Sequence, residues 1–205
     1  MNNFFPKFKP ASSIREAAIE INLPHEDYPK RVDVTEEAIK MLVAEIILST
    51  TGTNGRGHAC MWRDYFLPYR IRGIHQMVMA DTHHAGQFRQ VDVTVNGNSV
   101  APHYEVEQRM QDLAESWDDL AGSRVPNTDY YDLSCRYLAP LKWFRLFMKI
   151  HPFQDGNGRT GGVIVAAYTH HYGEMWVEDP VWSSRRIYPV GLRLKDNIMI
   201  EKGGA

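Results

Sequence analysis

Several things are scarce in this chain of 205 residues, and each scarcity removes a class of protein. Two cysteines, Cys60 and Cys135, are too few for a disulfide framework, which excludes the small stapled scaffolds and favours a reducing compartment. No apolar run approaches the roughly 20 residues of a membrane span, and Met1-Asn2-Asn3-Phe4-Phe5-Pro6-Lys7 has no signal-peptide core. The expected location is therefore cytoplasmic, although an effector exported by a dedicated machine would have the same composition. Neither sign of charge dominates: the net charge is −2, which gives no reason to expect nucleic acid or membrane binding. Repeats and low-complexity tracts are also missing. What remains is a chain that is 43% hydrophobic and long enough for one sizeable core.

Helical spacing of apolar residues dominates the rest, so the predicted class is all-α. Ser13 followed by Glu16 reads as a capping box opening a short helix to Ile21. Thr35 reads as the N-cap of a helix carrying Ile39, Leu42, Val43, Ile46 and Ile47, which ends before Gly52. Val106, Met110, Leu113, Trp117 and Leu120 step three and four apart, predicting a helix that closes near Gly122. Leu133, Tyr137, Leu141, Phe144, Phe147 and Met148 form a stripe along residues 133–150, kinked or opened by Pro140. Val163 to Tyr168 begins another apolar helix. One segment breaks the helical pattern: Val91-Asp92-Val93-Thr94-Val95 alternates, Asn96-Gly97 is a strong hairpin signal, and Ser99-Val100 starts a return strand.

Between the last two helices lies His151-Pro152-Phe153-Gln154-Asp155-Gly156-Asn157-Gly158-Arg159-Thr160-Gly161-Gly162. A loop that runs into a helix N-terminus presents unpaired N–H groups and the positive end of the helix dipole, which together suit an anion. Gly156 and Gly158 let the backbone approach a phosphate closely. Asp155 offers the hard oxygen that Mg²⁺ prefers, and Arg159 a fork of donors matched to phosphate. His151 can be neutral at pH 7 and accept a proton from a hydroxyl. These are the parts of nucleotidyl or phosphoryl transfer. The segment is not a Walker loop, since no Lys-Ser/Thr comes after its glycines. Nine histidines occur in all; the neighbours His83-His84 and His170-His171 lack the i, i+4 spacing of helical metal ligands, and His75 reads as a buried structural residue.

His151-Pro152-Phe153-x-Asp155-Gly156-Asn157-Gly158-Arg159 resembles, without a gap, the signature of the Fic family, which transfers AMP from ATP to protein hydroxyls. Phe147 and Ile150 match its preceding helix, Ile74-His75 its upstream Leu-His pair, and Ala85-Gly86-Gln87-Phe88-Arg89 its Ala-Gly-x-aromatic-Arg segment; Pro102, Val106, Met110 and Leu113 fit the spacing of its next segment. The resemblance implies a Fic-fold helical bundle with a small β-hairpin flap near the active site. It implies His151 as general base, Asp155 as the Mg²⁺ ligand, and Gly156, Asn157, Gly158 and Arg159 as the phosphate-binding set. Phe153 would anchor the loop, and residues Val91, Asp92, Val93, Thr94 and Val95 would form a flap that docks the target by strand addition. Mg²⁺ and ATP are the implied cofactor and co-substrate; a hydroxyl-bearing protein and a separate antitoxin are the implied partners. The domain reading is an N-terminal extension over 1–34, a helix and loop over 35–64 packed on the core, a Fic core over 65–172 and a C-terminal extension over 173–205.

One departure stands out. The family pattern usually continues to a second arginine, where this chain has Gly162. In the family that arginine contacts the terminal phosphate and pairs with a glutamate of an inhibitory Ser/Thr-x-x-x-Glu-Gly/Asn helix. Here Ser12-Ser13-Ile14-Arg15-Glu16-Ala17 and Thr50-Thr51-Gly52-Thr53-Asn54-Gly55 match it only in part. Grafting an arginine at position 162 alone is then not expected to switch the protein off. The Doc branch also lacks that arginine and phosphorylates its target, but carries Lys where this chain has Gly158. Protein AMP transfer is therefore the first reading, with a Doc-like phosphotransferase toxin and a non-catalytic Fic-fold binding module as alternatives.

Overall fold

The structure, a computed structural model, describes residues 8–23, 28–50, 65–95, 97–120, 139–171 and 175–178. The described elements are β1 (Phe8–Ala11), α1 (Ile14–Asn22), α2 (Tyr28–Thr50), α3 (Pro68–Val78), the hairpin β2 (Thr94–Val95) and β3 (Asn98–Ser99), a 3₁₀ turn (His103–Glu105), α4 (Val106–Glu115), α5 (Trp117–Leu120), α6 (Ala139–Ile150), α7 (Asn157–His171) and β4 (Met175–Glu178). The fold is mainly helical, as the apolar spacing predicts. Among the described residues no helix is long and apolar enough to cross a membrane.

The bundle is organised around α7. Every residue from Arg159 to Thr169 is buried, so this helix is enclosed on all sides rather than amphipathic. Two adjacent glycines make that enclosure feasible. A Cβ on Gly161 would stand 2.7 Å from the Phe144 ring of α6, and one on Gly162 would stand 3.0 Å from Ile21 of α1. Each glycine costs about 1 kcal/mol of helix propensity relative to alanine, and in exchange a neighbouring helix comes within reach of the α7 backbone. Beyond α6 an aromatic cluster fills the interior: Phe66 stacks on Trp117 at 4.0 Å, and Trp143 on Phe147 at 4.9 Å.

The ends of the described chain meet in a second strand pair that no sequence pattern announces. β1 and β4 run antiparallel, with Phe8 opposite Glu178 and Ala11 opposite Met175. Four-residue strands whose partner lies far along the chain leave no periodic signal, and Pro10 argues locally against a strand.

Three helix boundaries differ from expectation. Thr35 is not an N-cap: α2 starts at Tyr28, so the division drawn at residue 34 falls inside a helix. Thr35 is fully buried, and its hydroxyl accepts a hydrogen bond from the Asn22 side chain of α1 at 2.9 Å. The helix expected through Leu120 is interrupted at Ser116, whose hydroxyl donates to the Leu113 carbonyl and so competes with the helical pattern. α7 begins at Asn157, ahead of Val163, because buried contacts outweigh its glycines. Pro140 falls in the first turn of α6 as described; Leu133, Tyr137, Cys60, Cys135, Asn96, the Thr51–Gly55 stretch and the C-terminal segment after 178 lie outside the described residues. The Ser13 cap is as expected, its hydroxyl accepting from the Glu16 N–H at 3.1 Å, while the Glu16 carboxylate takes the Ser12 N–H at 2.7 Å.

Gly161→Ala is expected to destabilise the fold by roughly 1–3 kcal/mol despite its better helix propensity, because the methyl group must displace the Phe144 ring. Urea denaturation measures it; an unchanged or raised midpoint would show that α6 is not held in close contact at this point.

Candidate active site

The candidate site forms where α6 ends and α7 begins. α6 stops at Ile150, and His151 takes a left-handed backbone with φ 52°. A residue in this conformation just past a helix end is usually glycine, since a side chain there costs energy. His151 still closes the helix, its N–H donating to the Phe147 carbonyl at 2.9 Å. The imidazole lies partly enclosed, with Nδ1 buried and the Met148 backbone as its polar neighbour. Only Nε2 is then available to a substrate. Burial, helped by the Arg89 cation, pushes the His151 pKa down from 6.5 to about 4, with the Met148 backbone and Asp155 opposing. The ring is neutral across the physiological range.

The loop after His151 is built from internal contacts. Phe153 is wholly buried and lies flat on His75, with ring centroids 3.7 Å apart. The Asn157 side chain turns inward, accepting from the Phe153 N–H at 2.9 Å and donating to the Phe153 carbonyl at 2.8 Å. It shapes the loop from within. Gly156 has φ 74°, and a Cβ there would meet Met79 at 2.7 Å, so both conformation and space require glycine. Gly158 is the opposite case. A Cβ on it would meet nothing within 4 Å, so no protein contact demands glycine there.

Asp155 and Arg159, one turn apart, face each other. The Asp155 side chain is 66% exposed, with Oδ2 3.1 Å from Arg159 Nη2 and Oδ1 accepting from the Gly156 N–H at 2.6 Å. Arg159 is only 2% exposed, so its cation is held in a fixed place under the loop. Among the described residues no three His, Cys, Asp or Glu side chains converge as a metal cage. A single exposed carboxylate fits Mg²⁺ only in the mode in which water and phosphate oxygens supply the other ligands. His83 and His84 are exposed and His170 and His171 half-buried, consistent with their reading as surface or packing residues.

His75 joins three segments. Its Nδ1 accepts the Gly86 N–H at 2.8 Å, which leaves Nε2–H to donate to the Asp155 carbonyl at 3.0 Å. Burial lowers its pKa, and the neutral ring is the form that both bonds need. The structural role expected for His75 is what the geometry displays.

The expected flap is present but short. Pairing is confined to Thr94 opposite Ser99 and Val95 opposite Asn98, with Gly97 at φ 78° in the turn. Val91, Asp92 and Val93 lie outside the strands. The Val91 carbonyl accepts from Arg89 Nη1 at 2.9 Å and is thereby drawn out of the ladder, and the Asp92 carboxylate accepts from the His103 N–H at 2.7 Å.

Sequence reasoning missed two residues here. Met79 walls the inner side of Gly156, and no local signal marks it. Ile21 of α1 covers Gly162, the position of the family's second arginine. Of the two partial matches to the inhibitory helix, Ser12 to Ala17 uses its Glu16 carboxylate to cap α1, and the stretch 50–55, which has Asn54 in place of the glutamate, lies beyond Thr50 outside the described residues.

An arginine at position 162 must displace Ile21, so Gly162→Arg is expected to lose roughly 1–3 kcal/mol of stability, and Ile21→Ala in the same chain to recover part of it. Equal urea midpoints for wild type and Gly162→Arg would show that α1 yields freely. The His151 ring makes a separate contribution to pH dependence. Since His151 binds its proton less readily folded than unfolded, the unfolded state takes up the extra proton as pH falls from 6.5 toward about 4, and stability declines through that window. The decline in urea midpoint between pH 7 and 4.5 should be smaller in His151→Ala; an identical decline would mean the ring titrates normally.

Comparison with known proteins gives the family. A Fic domain-containing signaling protein from Bacteroides thetaiotaomicron VPI-5482 aligns with a TM-score of 0.47 and 19% identity over 72% of this chain, which spans 50% of that protein's chain. The Fic/DOC family model matches residues 65–169, from the residue before Phe66 through the flap, the histidine loop and almost all of α7. The chain belongs to the Fic/DOC family.

Proposed function

We propose that this chain transfers AMP from ATP to a Ser, Thr or Tyr hydroxyl of a target protein. The observation that carries this reading is the short loop from α6 to α7, which joins His151, neutral through burial, to the Asp155–Arg159 pair at the start of α7. The anion site comes from the sequence: Gly156 gives the loop its left-handed turn, Gly158 leaves open space for a phosphate close to the N-terminal amides of α7, and Arg159 supplies a buried cation beneath it.

In this mechanism the neutral His151 ring carries its proton on the buried Nδ1, which leaves the Nε2 lone pair for the target hydroxyl. The hydroxyl oxygen forms a bond to the α-phosphorus as its proton passes to Nε2. The bond from the α-phosphorus to the bridging oxygen breaks, and pyrophosphate leaves with the electron pair. Asp155 would hold Mg²⁺, which when bound neutralises phosphate charge. The β2–β3 flap would take up the target backbone as an added strand, bringing the hydroxyl toward His151. The partner in this reading is a hydroxyl-bearing protein.

A second reading, γ-phosphoryl transfer to the target, has one observation in its favour. Ile21 fills the position over Gly162, so among the described residues no cation stands there to take the terminal phosphate of an AMP donor.

Incubating the full chain with Mg²⁺ and ATP in host lysate, then weighing the intact proteins by mass spectrometry, separates the two. A gain of about 329 Da on a target supports AMP transfer, and about 80 Da supports phosphoryl transfer. His151→Ala should lower either rate by roughly 10²- to 10⁴-fold with the fold intact, and undiminished modification by that variant would remove His151 from the reaction.

A further inference from the structure

Arg89 has no part in the proposed reaction. Its side chain is completely enclosed, a costly place for a cation that burial pushes toward a lower pKa. It lies in the middle of four backbone carbonyls. Nε donates to the His151 carbonyl at 2.8 Å, Nη2 to Ile150 at 3.3 Å and also to Ala101, and Nη1 to Val91 at 2.9 Å. Two of these carbonyls belong to the end of α6 and two to the stems of the flap, one on each side of the hairpin. The Arg89 N–H adds a fifth link, to the Pro152 carbonyl at 2.9 Å. A planar fork of five donors can span such a set, whereas the single ammonium of lysine cannot.

The flap stems are joined a second time on the outside. Asp92, 68% exposed, accepts from both the backbone N–H of His103 at 2.7 Å and its ring Nδ1 at 3.0 Å, and lies 3.7 Å from Arg89 Nη1. Asp92 is on the incoming stem and His103 on the outgoing one. The exposed pair thus closes the base of the hairpin directly over the buried guanidinium.

We infer that Arg89, with the Asp92–His103 latch above it, is a positioning residue that couples the flap to the backbone of His151, so that the geometry of the flap governs the geometry of the imidazole. The inference rests on reading the hairpin as the flap that docks the target. A target strand laid along β2 would then set the His151 ring through the same guanidinium that holds its carbonyl. The left-handed backbone of His151 makes it a suitable receiver, since that conformation persists only while its surroundings enforce it.

Hydrogen exchange read by mass spectrometry and NMR on the full chain, without nucleotide or target, tests the coupling. Asp92→Ala cuts the latch at an exposed position that should not threaten folding, and Arg89→Lys keeps the charge but loses the fork. In Asp92→Ala the amides of the flap and those of His151 and Phe153 should all exchange at least about tenfold faster, the effect of losing the two charge-assisted hydrogen bonds from His103. The His151 ring should also titrate at a higher pH than in wild type, because loosening relieves its burial. Arg89→Lys should give the same pattern more strongly. Faster exchange confined to the flap, with His151 and Phe153 unchanged, would overturn the inference, as would faster exchange spread over α7, which reports simple loss of stability. Because neither readout involves ATP, absence of AMP transfer would count against the proposed reaction and leave the coupling standing.

Discussion

The C-terminal end of α6 is inside the protein, and its last carbonyls cannot turn to water. A helix end always leaves such groups unpaired, and in a buried place each one must find a donor. Here the carbonyls of Ile150, His151 and Pro152 all take donors from Arg89. The left-handed turn at His151, the direction of the loop beyond it and the start of α7 depend on that pairing. So does the flap, because the guanidinium that serves the helix end also binds Val91 and Ala101. One buried cation thereby relates a hairpin to a loop some sixty residues further along the chain.

The loop itself is held from two directions. From below, His75 and Phe153 stack and the His75 ring links Gly86 to Asp155. From within, Asn157 pairs both backbone groups of Phe153. These contacts use the groups that point inward, which leaves the Asp155 carboxylate and the open face of Gly158 on the outer side. Preorganisation of this sort suits a site that works by placing charge, since little rearrangement is then needed when a ligand arrives. On the far side of α7, Gly162 is covered by Ile21, so α1 is part of the wall of the bundle rather than a loose appendage.

Much of this was legible because it is local. The apolar stripe at Val106, Met110 and Leu113 is buried as its spacing predicts, and Ser13 caps α1 as its capping box predicts. Other features were hidden for definite reasons. Thr35 has the chemistry of a cap, yet it is spent on Asn22 of another helix. Gly161 and Gly162 weaken a helix locally, but close approach of α6 and α1 carries α7 through them. The alternation at 91–95 predicts a five-residue strand, while the Arg89 guanidinium takes the Val91 carbonyl and only two residues pair. β1 and β4 depend on a partner across the length of the chain.

The sequence alone determined the helical class, the hairpin turn and the identity of the candidate site, because the His-to-Arg run carries its chemistry in consecutive residues and periodic spacing reports burial directly. Tertiary structure alone decided how those groups are used. Whether Asn157 faces a ligand or the interior, whether position 162 is open or sealed, and what holds His151 in place all turn on contacts between segments far apart in the chain. Such contacts arise from shape and packing, which no local pattern of residue types encodes.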